Sequence, residues 1–240
     1  MFYFICTVKK GHTMHMLKTN ELFDLDHTLA SPLLSKCEYP WTALGGLRKF
    51  ITELGNTLPQ DEYYSPSDGI WVANSATLAK SAVIYAPCIV GKHSELREGA
   101  FIRGAVIIGE RCVVGNSCEL KNCILLDGAK APHFNYVGDS ILGYLAHMGA
   151  GAVTSNVKND KSEVRIAHDE KYINTGLSKL GAMIGDRAEI GCGCVLNPGA
   201  VVGRDASIYP LSCVRGCVPP NFIYKSKDNI TPRRKTVERS

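Results

Sequence analysis

From Val72, stepping forward by six residues meets Val72, Leu78, Ile84, Val90, Leu96, Ile102, Ile108, Val114 and Leu120, nine aliphatic side chains in succession. Four residues after each stand Ala76, Ala82, Cys88, Ser94, Ala100, Val106, Cys112, Cys118 and Ile124, of which seven are Ala, Ser or Cys. After an interruption the pattern resumes as Ile184, Ile190, Leu196, Val202, Ile208 and Val214, with Ala188, Cys194, Ala200, Ala206, Ser212 and Val218 as companions. A period of six fits neither the helical 3.6 nor the alternating strand. It describes a prism of three flat walls with one short strand per wall. The aliphatic residue points inward and stacks on its counterpart one coil later, and the companion is small because it lies where walls converge. Gly91, Gly109, Gly115, Gly185, Gly191 and Gly203 follow the aliphatic position, where turns of the backbone favour glycine.

Three such hexads make one coil, so the first run predicts three coils and the second two. The pattern is that of the hexapeptide-repeat β-helix, an all-β solenoid. Membership of that repeat class, not the spacing, implies a left-handed coil. The expected organisation is a helical or irregular segment over 1–70, a left-handed β-helix over 71–218 with an inserted loop at about 157–180, and a basic tail over 219–240. Trp41, Leu44, Leu47, Ile51, Leu54 and Leu58 recur at helical intervals and predict one amphipathic helix that caps or packs on the first coil. Pro59, Pro66 and Gly69 mark a linker.

The formal charge is +4, and all of that excess lies in residues 221–240, where six Lys/Arg face two acidic residues. A basic terminus has the chemistry to touch nucleic acid or anionic lipid, but a solvated, frayed end is the simpler expectation, and neither partner is expected. No run approaches the roughly 18 apolar residues of a membrane span. The opening MFYFIC is too short and wrongly ordered for a signal peptide, and Met14 or Met16 is an alternative start. Ten cysteines without a secretion signal point to a reducing, cytoplasmic setting, with thiols used as small apolar residues. The sequon at Asn229 has no other sign of secretion beside it. Cys192 and Cys194 lack a second pair at zinc-like spacing, and no metal is expected.

Asp24, Asp26 and Thr28 spell the D-x-D-x-T nucleophile loop of haloacid-dehalogenase-type phosphatases. That loop must end a buried parallel strand in an open α/β sheet, and here it follows the polar MLKTNE in a chain whose remainder is prism. The three residues are therefore read as turn and cap chemistry.

Polar residues crowd the interruption, 121–156, and a repeat that breaks its own rule in one place marks a candidate site. VGNSCELKN (114–122), KAPHFNYVGDS (130–140) and MGAGAVTSN (148–156) resemble the acetyltransferase half of the bacterial bifunctional N-acetylglucosamine-1-phosphate uridyltransferase/glucosamine-1-phosphate acetyltransferases. The match runs without a gap from Arg103 to Asn156, and YPW with the ending LNPGAVVGRDASIYPLSCVRG looks like smaller single-domain relatives related to sugar-nucleotide pyrophosphorylases. The resemblance implies transfer of an acyl group, in that family acetyl from acetyl-CoA, to the nitrogen of an amino sugar phosphate or a nucleotide-linked amino sugar. It also implies a homotrimer with sites between neighbouring prisms.

Carried over by position, the resemblance assigns the catalytic base to His133, sugar-phosphate contacts to Arg103, Lys121, Tyr136 and Asn156, and an acetyl-CoA contact to Ala150. The residue types suit those roles: imidazole accepts the amine's proton near neutral pH, and Arg and Lys clamp phosphate. Glu119 is a supporting residue beside Lys121. At a substrate position the family has Asn where this chain has His147, and its Ser and Ala at the CoA thiol end correspond to Cys192 and Pro210. The family's next CoA-contacting Lys falls in the 157–180 loop, with Lys158, Lys161 and Lys171 as candidates. Fewer than the residues of a nucleotidyltransferase domain precede the prism, so pyrophosphorylase activity is not expected. A bland alternative stands beside each assignment: His133 as a surface residue, Arg103 and Lys121 as solvated charges on a wall, Tyr136 as a packing residue. At the level of the whole chain, the alternative is a non-catalytic trimer that binds sugar nucleotides or a partner. A zinc hydratase of the prismatic type needs three histidines from adjacent subunits, and no His-x4-His pair exists here.

Overall fold

A computed structural model describes residues 14–168 and 171–233. The chain winds through about eight turns of a left-handed parallel β-helix. On the first wall, Ile70–Ala73, Cys88–Val90, Val106–Ile108, the second half of Glu119–Leu125, the second half of Tyr136–Leu142, Ala182–Ile184, Ala200–Val202 and Cys217–Val218 stack in parallel. The second wall stacks Thr77–Leu78, Glu95–Leu96, Val113–Asn116, Lys130–His133, His147–Met148, Glu189–Ile190, Ser207–Ile208 and Phe222–Ser226. The third carries Val83–Ile84, Phe101–Ile102, the first halves of Glu119–Leu125 and Tyr136–Leu142, then Val153–Thr154, Val195–Leu196 and Cys213–Val214.

The hexad residues from Val72 to Val218 fill the prism, and most are fully buried; the exception is Ile124, which points outward while Cys123 takes the inward place. At 121–156 the count of six slips in the sequence, and the structure shows why. The coils run straight through, with Leu120, Leu125, Ala131, Val137, Leu142, Met148 and Thr154 in the inward column. One residue is missing at the corner between third and first walls in two successive coils, so Glu119–Leu125 and Tyr136–Leu142 turn that corner as continuous strands. The missing residues, not a departure from the prism, break the count of six.

The inter-wall glycines also act differently from the sequence expectation. Their φ is not positive; a Cβ at Gly115 would sit 1.6 Å from the Pro132 carbonyl oxygen of the next coil, and one at Gly91 2.5 Å from that of Gly109. They are small so that coils can close on one another. The left-handed corner residues are instead His93, Arg111, Ser117, Phe134, Leu145, Arg187, Asp205 and Leu211, among others.

The first wall is apolar outside as well as inside. Ile89, Ile107, Ile124, Ile141, Met183 and Val201 point outward and are buried beneath Leu17, Leu22, Phe23, Leu34, Trp41, Leu44, Leu47 and Ile51, and beneath Val164, Ile166 and Leu180. A sheet covered on both faces reads as continuous hydrophobic triplets. The predicted single helix is two pieces, a 3-10 turn at Pro40–Gly45 and a helix at Leu47–Gly55, with Gly45 and Gly46 at the break. The segment 157–180 holds the hairpin Arg165–His168 with Lys171–Asn174. Among the described residues past 219, Phe222–Ser226 adds to the second wall and folds back on Asn229–Pro232 as a hairpin. Residues 1–13, with the alternative start at Met14 next to them, and the basic residues beyond Arg233 lie outside the described residues.

The D-x-D-x-T loop lies along the corner between first and second walls. Asp24 caps a 3-10 turn through a hydrogen bond from Asp26 N, and Thr28 Oγ1 accepts from Ala30 N. Asp186 Oδ2 accepts from Asp24 N at 2.7 Å, and the carbonyls of Leu22 and His27 accept from Asp186 N and Asp127 N.

Candidate active site

Two features of the coil geometry assemble the candidate residues. Along the corner between second and third walls, Gly99, Ser117, Phe134, Gly151, Gly193 and Leu211 all have positive φ, so each coil turns there in the same way. Hydrogen bonds run down this ridge from Gly151 N to His133 O, from Gly193 N to Ala150 O, and from Leu211 N to Cys192 O. His133, Ala150, Cys192 and Pro210 therefore stand one above another, one per coil, and all four are exposed. Buried Asn135 fixes the ridge from inside. Its Oδ1 accepts from His133 N at 3.0 Å, and its Nδ2 donates to the carbonyls of Gly149 and Ala152 at 2.9 and 3.0 Å. An amide at a position the repeat reserves for a small residue is tolerated because every one of these bonds is made.

On the adjoining third wall the outward residues form two columns, because strand residues alternate in and out. One column reads Val83, Phe101, Glu119, Tyr136, Val153. The other, nearer the corner with the first wall, reads Tyr85, Arg103, Lys121, Gly138. Arg103 Nη1 donates to Glu119 Oε1 at 2.6 Å, which raises the Arg103 pKa further. Lys121 Nζ lies 3.7 Å from Asp139 Oδ2. Asn156 Nδ2 donates to the same carboxylate and lies 3.3 Å from the Tyr136 hydroxyl. Gly138 lets the Tyr136 ring fold along the wall, since a Cβ there would meet its hydroxyl at 2.4 Å. Burial raises the Tyr136 pKa, with the charges of Asp139 and Glu119 adding to it, so the phenol remains a hydroxyl.

Asp139, within the stretch KAPHFNYVGDS, is the hub of this wall and a functional residue that the family resemblance does not assign. It is buried, with φ 48°, and accepts from Asn122 Nδ2 at 2.7 Å as well as from Asn156. Thr154 and Ser140 complete the polar interior here: Thr154 Oγ1 accepts from Gly138 N, and Ser140 Oγ donates to Gly138 O and accepts from Ala182 N. The available signal was polar residues at inward or corner positions of an otherwise aliphatic count.

His133 ends the second-wall strand and Tyr136 begins the third-wall strand of the same coil. Arg103, Glu119, Lys121, Tyr136 and Asn156 lie together on that wall, and Ala150 and Cys192 continue the ridge from His133. His147 lies elsewhere: it is on the second wall, in register with Lys130 and Glu189, and its Nδ1 is 3.0 Å from Glu189 Oε2. Glu119 engages Arg103 rather than His133. Of the loop lysines, Lys158 is taken up by Ser162 and Asp160 of its own loop, Lys161 has φ 55°, and the side chain of Lys171 lies outside the described residues. Among the described residues no group of three or more His, Cys, Asp or Glu is arranged to hold a metal, and no helix is long and apolar enough to cross a membrane.

Residues 70–177 match the family model described as the GMPPB C-terminal domain. The chain is homologous to C-terminal regions of sugar-1-phosphate nucleotidylyltransferase/acetyltransferases. It is 36% identical over 111 residues to the bifunctional sugar-1-phosphate nucleotidylyltransferase/acetyltransferase of Sulfurisphaera tokodaii, covering 46% of this chain and 28% of that protein. It is 34% identical over 133 residues to the bifunctional protein GlmU of Methanocaldococcus jannaschii, covering 55% of this chain and 32% of that protein. The chain thus spans about a third or less of each relative. Among solved structures, the UDP-N-acetylglucosamine acyltransferase of Francisella novicida superposes with a TM-score of 0.40 at 15% identity, covering 69% of this chain and 68% of that chain.

Proposed function

We propose that this chain is an acyl-CoA-dependent N-acyltransferase, with acetyl-CoA as donor and an amino sugar phosphate or nucleotide-linked amino sugar as acceptor. The observation that supports it most is the ridge: His133 is in line with Ala150 and Cys192, where a thioester would lie, and one strand away from a wall bearing Arg103, Lys121, Tyr136 and Asn156. In the reaction the amine nitrogen attacks the thioester carbonyl, His133 accepts the proton the nitrogen loses, the C–S bond breaks, and His133 returns that proton to the departing sulfur so that CoA leaves as the thiol. Arg103 and Lys121 would hold the anionic end of the acceptor, the Arg keeping four N–H donors beyond the one given to Glu119. The Tyr136 hydroxyl and the Asn156 amide, braced by Asp139, would bind the sugar.

The proposal includes a homotrimer, with the exposed ridge of one prism closed over by a neighbouring copy. The alternative, a binding trimer without catalysis, draws on the commitment of His147 to Glu189 and of Arg103 to Glu119. Thiol release from acetyl-CoA across a panel of amino sugar phosphates and nucleotide-linked amino sugars separates the two. His133→Ala should cut turnover by about 10²- to 10⁴-fold with an unchanged melting transition. Turnover at the parent rate in that variant would end the reading, and acceptor binding without any thiol release from the parent protein would favour the binding trimer.

A further inference from the structure

The lower end of the third wall carries an aromatic pair that neither the hexad core nor the proposed chemistry uses. Tyr85 and Phe101 stand on adjacent coils with ring centroids 5.5 Å apart at 83°, an edge-to-face contact. Tyr85 is 57% exposed, and Phe101 is half-buried. The N-terminal segment that covers the first wall packs none of its buried core against this pair. The pair is also in line with the cations: Tyr85 N donates to Ile102 O and Arg103 N to Leu120 O, so Tyr85, Arg103 and Lys121 occupy one outward column on three successive coils. Tyr136 follows on the fourth coil, with Asn156 behind it. At about 4.8 Å per strand step, the run from the aromatic pair to Tyr136 is roughly 15 Å. Its chemical order is π-face, cation, cation, phenol and amide.

That order matches a nucleoside diphosphate joined to a sugar, and a sugar monophosphate would use only its upper half. We infer that Tyr85 and Phe101 form a nucleobase subsite, and that the acceptor is a nucleoside-diphosphate-linked amino sugar. The base lies against the aromatic pair, the two phosphates lie along Arg103 and Lys121, and the sugar reaches Tyr136 and Asn156 with its amine toward His133. The inference rests on the proposed acyl transfer for the orientation of the sugar, but the subsite itself is testable without turnover. Base stacking on an aromatic side chain tolerates different bases, so the subsite alone does not choose between uracil and guanine.

The test is calorimetry on the full chain, with saturating CoA to occupy any donor site, using UDP, GDP and inorganic pyrophosphate as probes. Both nucleoside diphosphates should bind more tightly than pyrophosphate. Tyr85→Ala and Phe101→Leu should each weaken UDP and GDP by about tenfold while leaving pyrophosphate and the sedimentation mass unchanged. Tyr85→Phe should retain most of the affinity. Equal binding of pyrophosphate and the nucleotides, no binding of either, or variants that bind nucleotides normally would overturn the subsite. So would a change of the sedimentation mass in the variants, which would assign the pair to a contact between copies. Failure of the acyl-transfer reading looks different: nucleotide binding would persist and respond to Tyr85, with no thiol release from any acceptor.

Discussion

A buried carboxylate with a lysine, an asparagine amide and a second asparagine around it has more to do than fill space. Asp139 holds Asn156 and Asn122 by hydrogen bonds and faces Lys121, so it sets where three polar side chains of the third wall point. Asp139→Asn keeps the shape but removes the charge and turns an acceptor into a donor facing the Asn156 amide. With acetyl transfer as readout, the acceptor KM should rise by on the order of tenfold, the worth of one charge-assisted hydrogen bond, with a smaller change in kcat. An unaltered KM would leave Asp139 a purely structural residue. Cysteine behaviour is the second residue-level expectation. Burial raises the Cys88 and Cys112 thiols to about 12 and raises Cys123 well above its usual value, whereas Cys192 and Cys213 are exposed. A thiol reagent at about pH 8 should therefore modify Cys192 and Cys213 in the folded protein and reach Cys88, Cys112 and Cys123 only on unfolding. Reading Cys88 and Cys112 as packing residues needs only their place in the hexad, whereas the missing corner residue hides Cys123 from that count. Finding Asn135 and Asp139 needed the corner geometry, because in the sequence they are two more polar residues in a polar stretch.

At the scale of the coil, legibility depended on whether a position repeats. The inward column was visible because six-residue spacing is the wall length itself. The two one-residue deletions hid its continuation through Leu125, Ala131, Val137 and Leu142, although all four are fully buried. The outward face of the first wall was equally present in the sequence as the triplets CIV, VII, CIL, SIL, AMI and AVV. Their middle residues are apolar because the N-terminal helices and the 157–180 hairpin lie over them. The count of six follows the two inward positions of each wall and passes over the outward residue between them, which builds the second core. Glycine was assigned to turns, whereas Gly115 is set by the approach of Pro132. Gly115→Ala should accordingly cost more than about 3 kcal/mol, seen as a lowered urea midpoint with a native-like slope, because neither backbone can retreat without opening the coil above. A loss within about 0.5 kcal/mol would mean the coils are more loosely stacked than this contact requires.

For the molecule as a whole, the N-terminal arm is held to the prism by a corner that buries charge. Asp127 and Asp186 sit on that corner. Asp127 Oδ1 accepts from Glu110 N while its own N–H bonds the His27 carbonyl. Asp186 accepts from Asp24 N and Tyr144 N and lies 3.3 Å from Arg204 Nε. Burial is the largest influence on both carboxyls and raises both pKa values, outweighing the backbone hydrogen bonds and the nearby cations that pull them down. An acid whose pKa is raised by folding holds its proton more tightly when folded. Its contribution to stability is complete below the ordinary carboxylate value and disappears as pH rises through the folded-state value. These two residues therefore favour the folded chain at about pH 4 and withdraw that support toward neutrality, opposite in sign to a salt-bridged surface aspartate. Asp127→Asn isolates the effect, since the amide keeps the acceptor for Glu110 N and has no charge to bury. Urea midpoints of parent and variant, followed from about pH 4 to about pH 7, should diverge, with the parent losing ground relative to the variant as pH rises. A difference that is flat with pH would mean that the arm's corner is open to water and that the clasp between the N-terminal segment and the prism is looser than its hydrogen bonds describe.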